Sequence, residues 1–240
     1  MSTTKMIGYK VAQHEGRVLI TLEIPDDAIT NMNRKKIVNK QLAKYRTNKA
    51  KVLKIEDSNG KEYESATTLC YKVKSLTYTV GETIEEPTFD MDLDIVCSAG
   101  IHFFLDREVA EQYENHPRNG PYKVWYASGG IYQECTFKDG KLNGLWKQWH
   151  ENGQMYEECL YKDDTIDGPY KAWYANGQIY QECTYKDGSV DGLYKTWHEN
   201  GRIWKERTYK HGTLDGPYKE WYGNGQLYIN NIYADGKFVA

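Results

Sequence analysis

Five glycines, Gly120, Gly144, Gly168, Gly192 and Gly216, stand 24 residues apart in this 240-residue chain, and the spacing never slips. Each opens one phrase, roughly Gly-x-Tyr-Lys-x-Trp-Tyr/His-x-Asn-Gly-Gln-Ile-Tyr-x-Glu-x-x-Tyr-Lys-Asp-Gly. Self-similarity at a fixed short period means a stacked array, because one unit of this size cannot enclose its own apolar side chains. Residues 118–240 are therefore expected to form five repeats, and residues 1–117 a separate domain.

Each copy holds the parts of a β-hairpin. A first strand runs to an aromatic pair (Trp125-Tyr126, Trp149-His150, Trp173-Tyr174, Trp197-His198, Trp221-Tyr222) and is followed by Asn-Gly, or by Ser128-Gly129 in the first copy. Asn-Gly tolerates the two positive φ angles of a type I′ turn, which predicts that turn here. Alternation along the second strand puts Ile131, Cys135 and Phe137 on one face and Tyr132, Glu134 and Thr136 on the other. Asp-Gly pairs at 139–140, 187–188 and 235–236 then turn the chain toward the next copy. Leu142, Ile166, Val190 and Leu214 recur in that connection as plugs for the end of a core.

All seven tryptophans and fifteen of the twenty-one tyrosines lie in this half. The repeated Trp125, Trp149, Trp173, Trp197 and Trp221 are expected to be the buried structural spine. The candidate binding face is the opposite one, with Tyr132, Tyr156, Tyr180 and Glu134, Glu158, Glu182 displayed at regular intervals. The last copy departs from the pattern at Asn230, Asn231 and Ala234, as a solvent-facing terminal unit should. The fourth carries Arg207 where three others carry cysteine.

Cys135, Cys159 and Cys183 share one repeat position, so neighbours in their row fall about 9–10 Å apart if each repeat adds two strands. A disulfide needs Cα atoms within about 7 Å. With five cysteines in the chain, reduced thiols and a reducing, cytoplasmic location are the expectation.

Charge excludes some partners. The chain carries a formal −3, with 17 basic and 18 acidic residues before Gly120 and 14 and 16 from it onward. Neither half reads as a polyanion-binding domain or an anionic-membrane surface. No apolar run reaches the ~18 residues of a membrane helix, and no leader segment is evident.

The first half reads as a small α+β domain. Strands are expected at Met6–Val11 and Arg17–Glu23 around a Gly16 turn, at Lys51–Glu56 with a return through Asn59-Gly60, at Tyr71–Val80 and at Ile101–Phe104. A helix is expected over Arg34–Lys49, and a short one capped by Asp106. The basic run from Arg34 to Lys54 has no acidic residue inside it. A solvated helix balanced by Glu82, Glu85, Glu86, Asp90, Asp92 and Asp94 explains it better than a phosphate-binding face does. Cys97 and His102 bring a thiol and an imidazole close in sequence, which nucleophilic catalysis would need together with an orienting group and oxyanion donors. Phe103 and Phe104 beside them point to a core strand instead. Neither CxxC nor HxxxH spacing is present, so no metal site is expected, and no cofactor.

Two resemblances add to this reading. The order Leu22-Glu23-Ile24-Pro25, Arg46-Thr47-Asn48-Lys49 and Cys97-x-x-Gly100-Ile101-His102-Phe103-Phe104 looks like an uncharacterised domain found in large nucleocytoplasmic DNA viruses. The 24-residue phrase resembles the MORN repeat. That resemblance implies an elongated, single-layer array of five stacked antiparallel β-hairpins, and a role in protein association, self-association or scaffolding. Together they suggest a non-catalytic viral protein of host cytoplasm or virion, whose partner is another protein. The competing reading is a thiol enzyme around Cys97 and His102, with the repeats as a docking handle.

Overall fold

The computed structural model describes residues 5–68, 75–113 and 117–240. The chain divides into two compact units, Met1–Asn115 with Val124–Gly130, and His116–Lys123 with Ile131–Ala240.

The first unit is built on an antiparallel pair, β1 (Met6–Gln13) and β2 (Arg17–Ile24), in unbroken register from Met6 opposite Ile24 to Gln13 opposite Arg17. Further strands are β3 (Lys44–Thr47), β4 (Lys49–Glu56), β5 (Ser65–Thr67), β6 (Thr77–Thr79), β7 (Thr83–Glu85) and β8 (Ile101–Phe104). The sheet runs β3-β8-β1-β2-β4-β7, with β5 and β6 attached beside β1. Alternation in β2 sends Val18, Ile20, Leu22 and Ile24 into a core shared with Tyr45, Val52, Ile55, Tyr78, Ile101 and Phe103. Gly8 makes room for one of them, since a Cβ there would lie 2.6 Å from the Phe103 ring. A helix, α1 (Arg107–Gln112), begins where Asp106 accepts a hydrogen bond from the Val109 amide. It buries Val109 and Ala110 against Leu19 and Phe104.

The unit is mainly strand, with α1 as its one helix among the described residues. The helix expected over Arg34–Lys49 does not form: residues 31–43 are turns and bends, and 44–47 are strand. Lys44 to Thr47 pair residue by residue with Phe104 to Ile101, an interaction between segments more than 50 positions apart. The hairpin after β4 turns at Asn59-Gly60 as expected, but its return is only the Glu56–Glu62 bridge and a Tyr63 amide bond to Ile55. Of the strand expected over Tyr71–Val80, Thr77–Thr79 forms and residues 71–74 lie outside the described residues.

The second unit is one antiparallel sheet whose strands follow chain order. The strands of the third copy, Thr165–Trp173 and Ile179–Lys186, are typical: Gly168 to Ala172 lie opposite Tyr185 to Gln181 in order. All five opening glycines take positive φ, and two of them are also crowded. Gly168 has φ +135°, and a Cβ there would meet Leu160 at 3.1 Å; at Gly216, φ +130°, it would meet Thr208 at 3.0 Å.

Of the two turns in each repeat, the one toward the next copy forms as expected at the Asp-Gly pairs, and the Asn-Gly turn differs. Asn-Gly does not form the type I′ turn. His150 and Gln154 close a three-residue loop, Gly153 donates back to the His150 carbonyl at 2.9 Å, and within Asn152-Gly153 only the glycine, at φ +83°, is left-handed. This is a type I turn completed by a bulged glycine. The paired positive φ angles of a type I′ turn occur between copies, at Asp139-Gly140 (+52°, +81°), Asp187-Gly188 (+47°, +79°) and His211-Gly212 (+49°, +81°).

Asparagine is needed in the first turn for its side chain. Asn152 Oδ1 accepts from the Gln154 amide at 3.0 Å, and its Nδ2 donates to the Ala175 carbonyl of the next copy at 2.6 Å. Asn176 and Asn200 repeat the stitch to Glu199 and Gly223. In the first copy the equivalent acceptor, the Ala127 carbonyl, belongs to the first unit. There it receives Arg34 Nη2 at 2.6 Å and the Lys44 amide at 3.3 Å.

Candidate functional site

A bulge in each of the second to fifth copies decides what the two sheet faces carry there. In the third copy Ala172 lies opposite Gln181, but the next residue, Trp173, lies opposite Ile179, leaving Tyr180 as the extra residue. The same shift occurs at Gln148/Trp149, Thr196/Trp197 and Glu220/Trp221. A bulged residue sits on the same side as its neighbour instead of the opposite one. The tyrosines therefore leave the face that simple alternation gave them. Tyr228 shows this directly: its hydroxyl donates to Glu220, which also accepts from Arg207 at the cysteine position.

The candidate residues thus part company. Tyr156 and Tyr180 join the cysteine face, where they meet His150 and Tyr174 edge-on at ring separations of 5.0 and 5.1 Å. Tyr132 is half-buried at the equivalent place. Glu134, Glu158 and Glu182 stay on the opposite face, each paired across the hairpin with Lys123, Lys147 or Lys171 at 2.9, 3.5 and 3.1 Å. Lys195 and Glu206 add a fourth rung. Exposed Leu145, Leu160 and Leu193 flank this charge ladder.

The tryptophans are not an enclosed spine. Trp125, Trp149, Trp173, Trp197 and Trp221 are all half-buried, and strand alternation places them opposite the cysteine row. Cys135, Cys159 and Cys183 are the buried row, under rings that pair across each hairpin: Tyr122 with Phe137, Trp146 with Tyr161, Tyr170 with Tyr185, Tyr194 with Tyr209. Burial pushes all three thiols up, that of Cys159 to about 12. The plug residues Leu142, Ile166, Val190 and Leu214 are half-buried opposite Phe137, Tyr161, Tyr185 and Tyr209. His150 and His198 hold no metal geometry. Each bonds the carbonyl of the next copy's tryptophan at 3.1 and 3.0 Å, as the Tyr174 hydroxyl does at 2.8 Å. Histidine and tyrosine alternate because either can reach that carbonyl.

Two charged clusters on the aromatic face lay beyond sequence reasoning. Between the fourth and fifth copies, Glu220 accepts from Tyr218, Tyr228 and Arg207, with Lys205 at 3.3 Å. Burial alone would raise its carboxyl; these four donors bring it to about 2. Between the second and third copies, Glu157 has only neutral donors, the Cys159 thiol at 3.7 Å and the Tyr170 hydroxyl. Burial holds its carboxyl above the ordinary glutamate range. The visible signals were Glu157 and Lys205 in a row otherwise occupied by Gln133, Gln181 and Ile229.

In the first unit the Cys97–His102 pairing gains no support. Cys97 is exposed, whereas His102 is largely buried and its Nε2 donates to the Val96 carbonyl at 2.9 Å. Burial, aided by Lys44, Lys10 and Arg46, pushes the imidazole down to about 4. Much of the basic run is engaged within the unit, while Lys36, Lys40 and Lys51 are exposed. Arg46 is fully buried and stacks on Phe89, and its guanidinium reaches the carbonyls of Asp90, Asp92, Ile95 and Ala99. Arg34 stacks on Tyr45, Lys44 on Tyr113, and Lys35, Lys49 and Lys54 pair with Asp94, Asp27 and Glu56. Among the described residues no cluster of His, Cys, Asp or Glu could hold a metal ion, and no helix is long and apolar enough to cross a membrane.

Comparison with known families agrees with this geometry. Residues 2–110 match a family of unknown function (DUF5758). Residues 118–139, 142–163, 166–187, 190–211 and 214–236 each match the MORN repeat variant. No curated protein matches the chain. The chain therefore carries five MORN repeats behind a domain of unknown function. Repeats of this kind are generally non-catalytic and suggest a protein-interaction or membrane-binding role.

Proposed function

We propose that this chain of five MORN repeats and an N-terminal domain is a non-catalytic interaction protein, and that the aromatic face of the repeat sheet is its contact surface for another protein. The observation that carries this is the bulge, which gathers Tyr156, Tyr180, Trp204 and Tyr228 of the second to fifth copies onto the cysteine face. Half-buried rings with polar tips are the side chains that interfaces favour, since they bring large contact area at little entropic cost. The opposite face carries self-paired Lys–Glu rungs, which gain little from a partner. Protein rather than membrane is favoured because the repeat half has 14 basic against 16 acidic residues, and anionic lipid attracts basic surfaces. A viral origin and a place in host cytoplasm or virion rest on the resemblance of the N-terminal domain.

The test is crosslinking in native cells with full-length protein carrying Tyr156→Glu and Tyr228→Glu on the aromatic face, or Leu145→Glu and Leu193→Glu on the other. Loss of a specific crosslinked partner with the first pair, and its retention with the second, is the expected outcome. Retention by both pairs, with native circular dichroism, would make the array a spacer.

A further inference from the structure

The repeats let one junction be compared with another position by position. At the fourth–fifth junction the chain supplies its own cations to the aromatic face. Lys205 lies 4.4 Å from the Trp204 ring centre, and Arg207 lies 4.5 Å from that of Tyr218 while bonding Glu220 at 2.8 Å. The corresponding positions two repeats earlier are Glu157 for Lys205, Cys159 for Arg207, Tyr156 for Trp204, Tyr170 for Tyr218 and Ala172 for Glu220. The aromatic walls are kept, a cation becomes a carboxylate, and the other two charged side chains become small ones. Lys205, Arg207 and Glu220 sum to +1, whereas Glu157 alone leaves −1 on this face. Among the described residues it has no cationic partner.

A half-buried carboxylate bonded to a tyrosine hydroxyl on an aromatic face attracts a guanidinium twice, by charge-assisted hydrogen bonding and by cation–π contact with the neighbouring rings. The chain demonstrates that the face accepts such a group, in the Arg207–Tyr218–Glu220 arrangement. From this charge complementarity we infer that Glu157, with Tyr156 and Tyr170, forms a recognition site for an arginine side chain of a partner protein. The inference rests on the aromatic face being the contact surface, and it names what that surface selects. Burial raises the Glu157 carboxyl for want of a cation, consistent with a position that gains by receiving one.

Ethylguanidinium is the probe, titrated to 100 mM at constant ionic strength into full-length protein with ¹³C-labelled glutamate side chains. A saturable shift at Glu157, accompanied by the Tyr156 and Tyr170 rings, is expected. Glu157→Gln should weaken it at least tenfold; the substitution installs the residue already present at Gln133 and Gln181, so folding is retained. Gln181→Glu, beside Tyr180, Tyr194 and Cys183, should create a second saturable site one repeat along. A non-saturating response at Glu157, or equal binding by Glu157→Gln, overturns the inference, as does Gln181→Glu without a new site. The probe requires no partner protein, so its result is separable from the face test. Ethylguanidinium binding with the partner kept by Tyr156→Glu and Tyr228→Glu refutes the contact face and, with it, a partner as the source of the arginine; no binding with the partner lost refutes the arginine site alone.

Discussion

Replacing Glu220 by glutamine should loosen the last hairpin and little else. The carboxylate is about 5% exposed and gathers Arg207, Lys205, Tyr218 and Tyr228. Its fall from an ordinary 4.5 to about 2 corresponds to about 3.5 kcal/mol at ~1.4 kcal/mol per pH unit. Glutamine keeps one acceptor for a tyrosine but leaves Arg207 without a counter-charge, so about 2 kcal/mol of local stability should go, roughly thirtyfold in an opening equilibrium. A stack whose units touch only their neighbours confines the loss to the end that bears it. Hydrogen exchange, corrected for intrinsic rates, should therefore quicken in Leu227–Ala234 and Thr213–Trp221 while β1 and β2 keep wild-type protection. Because the folded pKa lies below the ordinary one, the contribution is complete above about pH 4.5 and drains away as pH falls toward 2. The gap between variant and wild type should narrow over that window. The double variant Arg207→Cys, Glu220→Ala restores the Cys159–Ala172 combination and should be more stable than Glu220→Gln. Equal acceleration in β1 and β2, or a gap independent of pH, would refute the reasoning.

Three further outcomes follow from features above. Arg46→Met should cost about 1–3 kcal/mol, the range for leaving buried hydrogen-bond acceptors unsatisfied. Urea unfolding of the full chain checks the loss, and proteolysis between residues 89 and 99 should quicken. Thiol labelling of native protein should modify Cys97 within minutes and spare Cys135, Cys159 and Cys183 until unfolding; rapid labelling of Cys159 would contradict its enclosure. An NMR titration of His102 should show a neutral imidazole down to about pH 4, since burial favours the uncharged ring; a midpoint near 6.5 would mean the ring is open to water.

The repeat, its strands, its terminal unit and the Asp106 cap were legible because each is written within a few residues. What escaped depends on distant partners or a single-residue offset. The run from Arg34 to Lys49 reads as a solvated helix until Phe104 to Ile101 arrive to pair with Lys44 to Thr47, and carbonyls from 90 to 99 to receive Arg46. Alternation places Tyr180 with Glu182 correctly for an unbroken strand. The bulge opposite Ala172 adds one residue and sends the ring to the other face. The tryptophans misled by size: in a sheet of one layer, half-burial is what a large ring obtains, and the small cysteine is what can be enclosed. Nor does composition reveal that Glu157 and Glu220, both glutamates on the same face, differ in every charged neighbour.

The asparagine stitch has a genetic consequence. Asn152, Asn176 and Asn200 each reach a carbonyl 23 residues ahead, so each junction from the second copy onward is measured from the one before it. Insertion of a single codon within a copy displaces that acceptor and unfastens the junction. Duplication of a whole 24-residue cassette preserves every bond. Arrays of this kind should vary between relatives in the number of cassettes far more readily than in the length of any one.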